Sequence, residues 1–467
     1  MISYNPSMEF KTIIEPFKIK SVEPIAITTP EQRKEFLERE DWNLFGLQSQ
    51  EVTIDLLTDS GTGSMSSEQW AAIMRGDEAY AGSHSWQRFN KVLSELTGYK
   101  HIIPTHQGRA SEKILATITV KEGDIIPSNS HFDTTRANFE AALATPVDLL
   151  CKEGLDLLTA APFKGNIDLE KLEALLKSED VDKIPFVLMT ITNNTGGGQP
   201  VSMENLKAVK ALCEKHNKMF LLDACRFSEN AWFVSQREES YKDIEIREIV
   251  KEAFRLADGC TISLKKDGFG NIGGVLAFND DALAEAAKNV LILTEGFPTY
   301  GGLTGRDLEA LAQGLIEITD RNYLEYRARS ISYLAEKALE YGIPIVQPAG
   351  GHALYIDAKT FLPHIPPHQY PGHSLACEIY LIGGVRAVEL GTLAFGVAGV
   401  DGKDDTPATH ELVRLAAPRR SYTQSHFDYV AEVLEKLVDN KDNLKGYEIT
   451  YQPKLLRHFT AKLKPLV

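Results

Sequence analysis

The sequence predicts an α/β protein: a large domain with a mostly parallel sheet covered by helices, plus a smaller α/β domain. Three observations carry this prediction. From about residue 100 to 290, short apolar runs alternate with helical patterns, as the strands of a parallel sheet alternate with their crossover helices. Polar residues cluster where each apolar run stops, the edge at which such sheets bind ligands. After about residue 310 the alternation gives way to a long helical stretch and shorter strands. Residues 1–57 read as an N-terminal arm and part of the small domain, 58–320 as the large domain and 321–467 as the small C-terminal domain.

Taken in order, "HIIPTHQGR" reads as a strand and its loop, and "ASEKILATITV" as the helix that follows. "IPFVLMTITNN" is a strand ending in the glycine-rich loop "NNTGGGQPVS". "MENLKAVKALCEKHN" places Leu206, Val209 and Leu212 at helical spacing, and "KMFLLDA" and "GCTISLKKD" are buried strands. The polar residues at the strand ends are Gln107 and Arg109, Asn194, Asp223 with Arg226, and Ser263 with Lys265 and Lys266. Beyond residue 300, "GRDLEALAQGLIEITDRNYLEYRARSISYLAEKALEYG" is one long helical stretch. "GGHALYIDA" and "HELVRLAAP" are strands, and "LPHIPPHQYPGH" is a proline-rich loop.

Composition bounds the partners. The chain has 467 residues, 43% hydrophobic and 25% charged, as in ordinary globular proteins, and no apolar run approaches the roughly 20 residues that span a bilayer. A net charge of −15 argues against nucleic acid or an anionic membrane as the main partner, because both repel an acidic surface. The N-terminus lacks a charged-then-apolar signal pattern, so a cytoplasmic setting is expected. Cys151, Cys213, Cys225, Cys260 and Cys377 are odd in number and scattered, which fits reduced, mostly buried thiols.

The segment "TISLKKDGFGNIGG" admits two chemistries. Gly268, Gly270 and Gly273 spell the G-x-G-x-x-G of dinucleotide loops, but that fingerprint must follow a strand and open a helix. It is followed instead by "VLAFND", an apolar run with strand character, so the glycines read as a tight turn behind Lys265 and Lys266. A lysine there could hold an aldehyde cofactor as a Schiff base; a bare Lys-Lys pair could equally be solvated surface.

A pyridoxal phosphate-type site needs more than a lysine: an acid for the ring nitrogen, a phosphate cup, a flat group over the ring and a cation for the substrate carboxylate. Asp223 ends an apolar strand, where a buried carboxylate is costly unless paired. It suits the acid, and would serve equally as a helix cap or an ion pair with Arg226. Gln107, Gly108 and Arg109 fall between strand and helix, where free N–H groups favour phosphate, and Ser263 could add a hydroxyl. Phe132 could stack on the ring, although by pattern alone it reads as core.

The blocks "IDLLTDSGT", "GDEAYAGS", "PTHQGR", "GGQPVS", "SLKKD", "NIGG", "YGGLTGRD", "GGHA" and "LRHFTAKL" run in order from residue 54 to 463. Together they resemble the tryptophanase and tyrosine phenol-lyase family of β-eliminating lyases. The resemblance implies the pyridoxal phosphate-dependent transferase fold of the aspartate aminotransferase type (fold type I), a homotetramer and activation by potassium. It implies Lys266 as the Schiff-base lysine with Lys265 beside it, and Gln107, Gly108, Arg109 and Ser263 on the phosphate. Phe132 would lie over the ring, Asp223 on the pyridinium, and Asn194 and Arg226 at the ring hydroxyl. Arg414 would bind the substrate carboxylate, Gly61, Glu78 and Asn271 the potassium ion, and Tyr300 the phosphate of a neighbouring subunit. Lys266 would then remove the α-proton, with the charge stored as a quinonoid. Tyr80 is the implied acid for the leaving carbon, and the resulting aminoacrylate hydrolyses to pyruvate and ammonia.

Three positions bear on the leaving group. Phenol-specific members carry threonine, arginine and phenylalanine where this chain has Asp133, Leu390 and His458, and all three resemble the indole-releasing branch. Asp133 and His458 suit an indole, whereas Leu390 removes the cation a phenolate would want; without the resemblance, His458 reads as a core histidine. The chain departs from the family pattern at Leu264, Cys225 and Gly270. Other readings carried forward are a lyase on tyrosine or S-substituted cysteine, a transaminase, an NAD-dependent dehydrogenase resting on Gly268–Gly273, and a metal hydrolase built on His364, His368 and His373.

Overall fold

The computed structural model describes residues 14–397, 406–454 and 456–467; the first thirteen residues of the N-terminal arm lie outside that range. The central sheet holds β1 (His101–Thr105), β2 (Ile125–Ser128), β3 (Thr145–Asp148), β4 (Phe186–Thr190), β5 (Met219–Asp223), β6 (Gly259–Ser263) and β7 (Gly274–Phe278). Their spatial order is β1-β7-β6-β5-β4-β2-β3. Only β7 runs against its neighbours, pairing antiparallel with β1 and β6. The carboxyl ends of all the others therefore share one edge. Strands β4, β6 and β7 are buried at every residue, which is why they read as unbroken apolar runs rather than alternating ones.

Helices α1 (Gly108–Thr119), α2 (Asp133–Ala141), α3 (Met203–Lys215) and α4 (Phe227–Arg237) follow strands of this sheet. Leu206 and Val209 of α3 are fully buried, as their spacing requires. The long helical stretch after residue 300 is two helices, α5 (Gly305–Glu317) and α6 (Arg321–Glu340). The break has a local cause: the Asp320 carboxylate accepts from the Tyr323 N–H and caps a new helix. The predicted proline-rich loop also needs correction. Pro371 occupies a first-turn position of α7 (Pro371–Gly383), where its missing N–H costs nothing, so His373 is a buried helical residue.

A second sheet of β8 (Ala353–Asp357), β9 (Val388–Leu390) and β10 (Leu412–Ala416) is antiparallel, in the order β9-β10-β8. Its surrounding core joins Leu37, Leu44, Leu47 and Leu56 to residues between Ile331 and Leu463. Ile54 and Asp55 also pair in parallel with Val385 and Arg386. The early segment thus packs with the C-terminal third of the chain, while the large sheet has cores of its own.

Gly268, Gly270 and Gly273 lie in the turn joining antiparallel β6 and β7, and no helix follows. Gly273 sits at φ +117°, and a Cβ at Gly270 would come within 2.4 Å of Leu311. The glycines serve backbone packing, so the structural requirement of a dinucleotide loop is not met.

Candidate active site

One cavity of about 220 Å³ opens where the large sheet's carboxyl edge meets the small domain. It gathers Gln107, Gly108, Arg109, Phe132, Asp133, Asn194, Asp223, Arg226, Ser263, Lys265, Lys266, Leu390, Arg414 and His458. Each large-domain member sits just past, or at the end of, β1, β2, β4, β5 or β6, because a parallel sheet brings loops distant in sequence to one edge.

The phosphate side is the open first turn of α1. Gln107 makes no side-chain cap, so the helix's free N–H groups remain for an anion. Gly108 is required: a Cβ there would lie 2.6 Å from the Ser263 Cβ. Lys265 and Lys266 follow Ser263 in a turn, with the Lys266 N–H donating to the Ser263 carbonyl at 3.3 Å. Burial, then the Lys266 charge, holds the Lys265 ammonium below its ordinary pKa.

The acid side differs from its plainer reading. Asp223 does not pair with Arg226; it accepts from the Cys225 thiol at 2.9 Å. The Cys225 sulfur in turn accepts from the Ser263 N–H at 3.3 Å. Arg226 is clamped by Asp59, with contacts of 2.7 and 3.1 Å. Asp59 also takes Arg419, which reaches on to Glu229 and to Asp267 beside Lys266. Burial would raise the Asp59 carboxyl, but Arg226, His352 and Arg419 hold it well below the usual range.

Asn194 has its carbonyl oxygen committed to the Tyr355 hydroxyl at 2.7 Å and to Arg414 at 3.2 Å, leaving its NH₂ group to meet a ligand. Arg414 also donates to the Leu57 carbonyl at 3.1 Å, yet its buried Nε has no partner. The Thr192 hydroxyl and His458 Nδ1, also on cavity residues, are buried and unpartnered too. Such atoms are costly to bury alone, and these three face a cavity in which a ligand would partner them. Across the cavity, His458 Nε2 lies 3.4 Å from Asp133, beside Phe45, Val388, Leu390 and Phe459. This corner is apolar with one ionisable pair.

The remaining sequence candidates lie elsewhere in the chain. Tyr80 is exposed, its ring 5.4 Å from Tyr300 and 5.6 Å from Phe297, and neither tyrosine lines the cavity. Asn271 donates to the carbonyls of Gly61 (3.0 Å) and Gly63 (3.3 Å). Glu78 instead binds Arg306 and the Gly305 N–H, both at 3.0 Å. His364 meets the Leu444 carbonyl and His373 the Cys377 thiol; no metal-binding group of three acidic, His or Cys residues occurs among the described residues.

Sequence reading missed Asp59, Glu112, Thr134, His352, Tyr355 and Arg419. Glu112 carried a signal, four residues after Gly108 and so on the same helix face. Tyr355 and Arg419 carried none, since only the packing of the two domains brings them to Asn194 and Asp59.

The cavity fits pyridoxal phosphate: a lysine, an uncapped helix N-terminus, a strand-end acid and unpartnered donors converge on it. Comparison with known proteins agrees. Residues 55–433 match the β-eliminating lyase family. A tryptophanase of Hyphomonas neptunium is 57% identical over 456 residues, covering 98% of this chain and all of that one. A tyrosine phenol-lyase of Pasteurella multocida is 50% identical over 97% of this chain and 98% of its own. Among solved structures, an aminotransferase of Staphylococcus aureus superposes with a TM-score of 0.57 at 14% identity, over 83% of this chain and 94% of that one, which shows the fold of type I pyridoxal phosphate enzymes. With matches of this length and a cavity of this chemistry, the chain belongs to the β-eliminating lyase family of carbon–carbon lyases.

Proposed function

We propose that this enzyme eliminates the side chain of L-tryptophan, yielding indole, pyruvate and ammonia. The observation that carries this reading is the Asp133–His458 pair, 3.4 Å apart in an otherwise apolar corner walled by Phe45, Leu390 and Phe459. An indole ring needs apolar walls and a polar partner for its N–H. A phenolate would leave its charge against Leu390.

Pyridoxal phosphate, when bound, supplies an electron sink for the carbanion formed at the substrate α-carbon. Gln107, Gly108, Arg109 and Ser263 would hold its phosphate, Asp223 its ring nitrogen, Asn194 and Arg226 its ring hydroxyl, and Phe132 would lie against its face. Arg414 grips the substrate carboxylate with a guanidinium that Asn194 and the Leu57 carbonyl orient and whose Nε has no protein partner. Lys266 takes the α-proton. Tyr80 delivers a proton to the leaving carbon, and since it lies outside this chain's own cavity, the reading includes a homotetramer in which Tyr80 and Tyr300 serve a neighbouring copy. The same assembly would bring Glu78 to Gly61 and Asn271 to bind potassium. A cytoplasmic setting completes the reading, supported by five free cysteines.

The test is indole release from L-tryptophan by purified protein with pyridoxal phosphate and potassium, beside phenol release from tyrosine and thiol release from an S-substituted cysteine. Indole with matching pyruvate is the expected result; phenol or thiol release exceeding indole would reassign the substrate. Lys266→Ala should abolish both turnover and the Schiff-base absorbance.

A further inference from the structure

Glu112 lies on α1 one turn after Gly108, lines the cavity and is 7% exposed. Burial, then the charge of Asp223, pushes its carboxyl up to about 7. A buried carboxyl facing another acid is costly, and no step assigned above uses it. Its partner explains its position. The Thr134 hydroxyl donates to Glu112 Oε2 at 3.0 Å, and the Thr134 N–H donates to Asp133 Oδ1 at 2.5 Å. Thr134 belongs to the first turn of α2, directly after Phe132 and Asp133.

Two helix N-termini meet at this contact. One, α1, begins at the phosphate cup; the other, α2, presents the ring-stacking Phe132 and the leaving-group residue Asp133. Along the backbone, Arg109 and Asp133 are separated by a helix, a strand and a loop. Through Glu112 and Thr134 they are separated by two side chains. Neither α1 nor α2 has a side-chain cap at its start, so this hydrogen bond is a direct tie from the second turn of α1 to the first turn of α2.

Resting on the proposed tryptophan reading, we propose that Glu112 is a positioning residue that, through Thr134, sets Asp133 at the leaving group and so determines preference for a carbon leaving group. Asp133 must hold its geometry against His458 for an indole to depart. A thiolate leaving group needs no such partner, because it departs without protonation at carbon. Glu112 acts as an acceptor from Thr134, which glutamine can imitate and alanine cannot.

The test uses full-length protein bearing Glu112→Ala, Glu112→Gln or Thr134→Val, with two readouts. The first is hydrogen exchange of the backbone amides of residues 133–136, with and without pyridoxal phosphate. Alanine and valine should speed exchange about tenfold, the effect of losing one hydrogen bond, and glutamine should restore protection. The second is the ratio of kcat/KM for L-tryptophan to that for an S-alkyl cysteine, which should fall about tenfold in Glu112→Ala and recover in Glu112→Gln. Unchanged exchange in Glu112→Ala, glutamine as damaging as alanine, or equal losses on both substrates would overturn the proposal. Absence of indole from the unaltered enzyme would overturn the substrate reading alone, and the exchange measurement would still decide the role of Glu112.

Discussion

Leu390 shows how much one side chain can decide in this cavity. It is 6% exposed and shares its wall with Val388, Phe45 and Phe459, where little water reaches and the one carboxylate, Asp133, is already set against His458. Leu390→Arg would place a guanidinium against that wall at a desolvation cost of a few kcal/mol. Indole release should fall on the order of tenfold or more in kcat/KM; an increase would refute the assignment of this wall to the indole. At this scale the sequence was legible wherever a residue's place depends only on its local setting. Lys266, Ser263 and Asp223 could be placed at the cavity because each lies at or just past the end of an apolar run. The partner of Arg226 was not: Asp223, three residues before it, is bonded to Cys225, and the arginine reaches Asp59 far back in the chain. Ion pairs between distant segments leave no mark in local pattern.

At the scale of elements, strands and helices were legible where periodicity is strong, and boundaries failed where one capping residue decides. The long pattern from Gly305 to Glu340 keeps helical spacing across its break, so only the Asp320 cap divides α5 from α6. Lys164 is a tie of another kind. Its side chain is fully buried and its ammonium donates to the carbonyls of Asp156, Leu157, Thr159 and Gln347, joining the loop after β3 to the loop before β8. Burial lowers its pKa, but four carbonyl acceptors replace the lost water. Lys164→Met keeps the stem and strands those carbonyls. It should destabilise the protein by about 3 kcal/mol, read as a lower urea midpoint with little change in slope.

For the whole molecule, pH is the most direct probe of how the small domain is held. Glu389, beside Leu390, is pushed up to about 8 by burial and by the charge of Glu411; Glu411 is pushed up to about 7, chiefly by burial. Both carboxyls accept from the turn at residues 392–394, and Lys359 and Asp357 bear on Glu411. The fold therefore keeps protons that the unfolded chain, with ordinary values near 4.5, has released. Where the native state binds more protons, stability falls as pH rises, so the loss should run from about pH 5 to about pH 8 and reach a few kcal/mol. Burial holds His352 and His373 below the usual histidine value, an opposite contribution below about pH 6.5, so the test is the difference between two holoenzymes: from pH 5 to pH 8 the melting temperature of the unaltered enzyme should fall relative to that of Glu389→Gln, and a constant difference would contradict the assignment. By itself the sequence determined the α/β class, the strand ends that line the cavity and the falsity of the dinucleotide loop, because apolar periodicity and turn glycines are local properties. Only the tertiary structure decided that Asp59 clamps Arg226, that Tyr355 orients Asn194 and that Glu112 reaches Thr134. Those contacts join residues whose proximity comes from the order of strands in the sheet and the docking of two cores, and neither is written in any single stretch of chain.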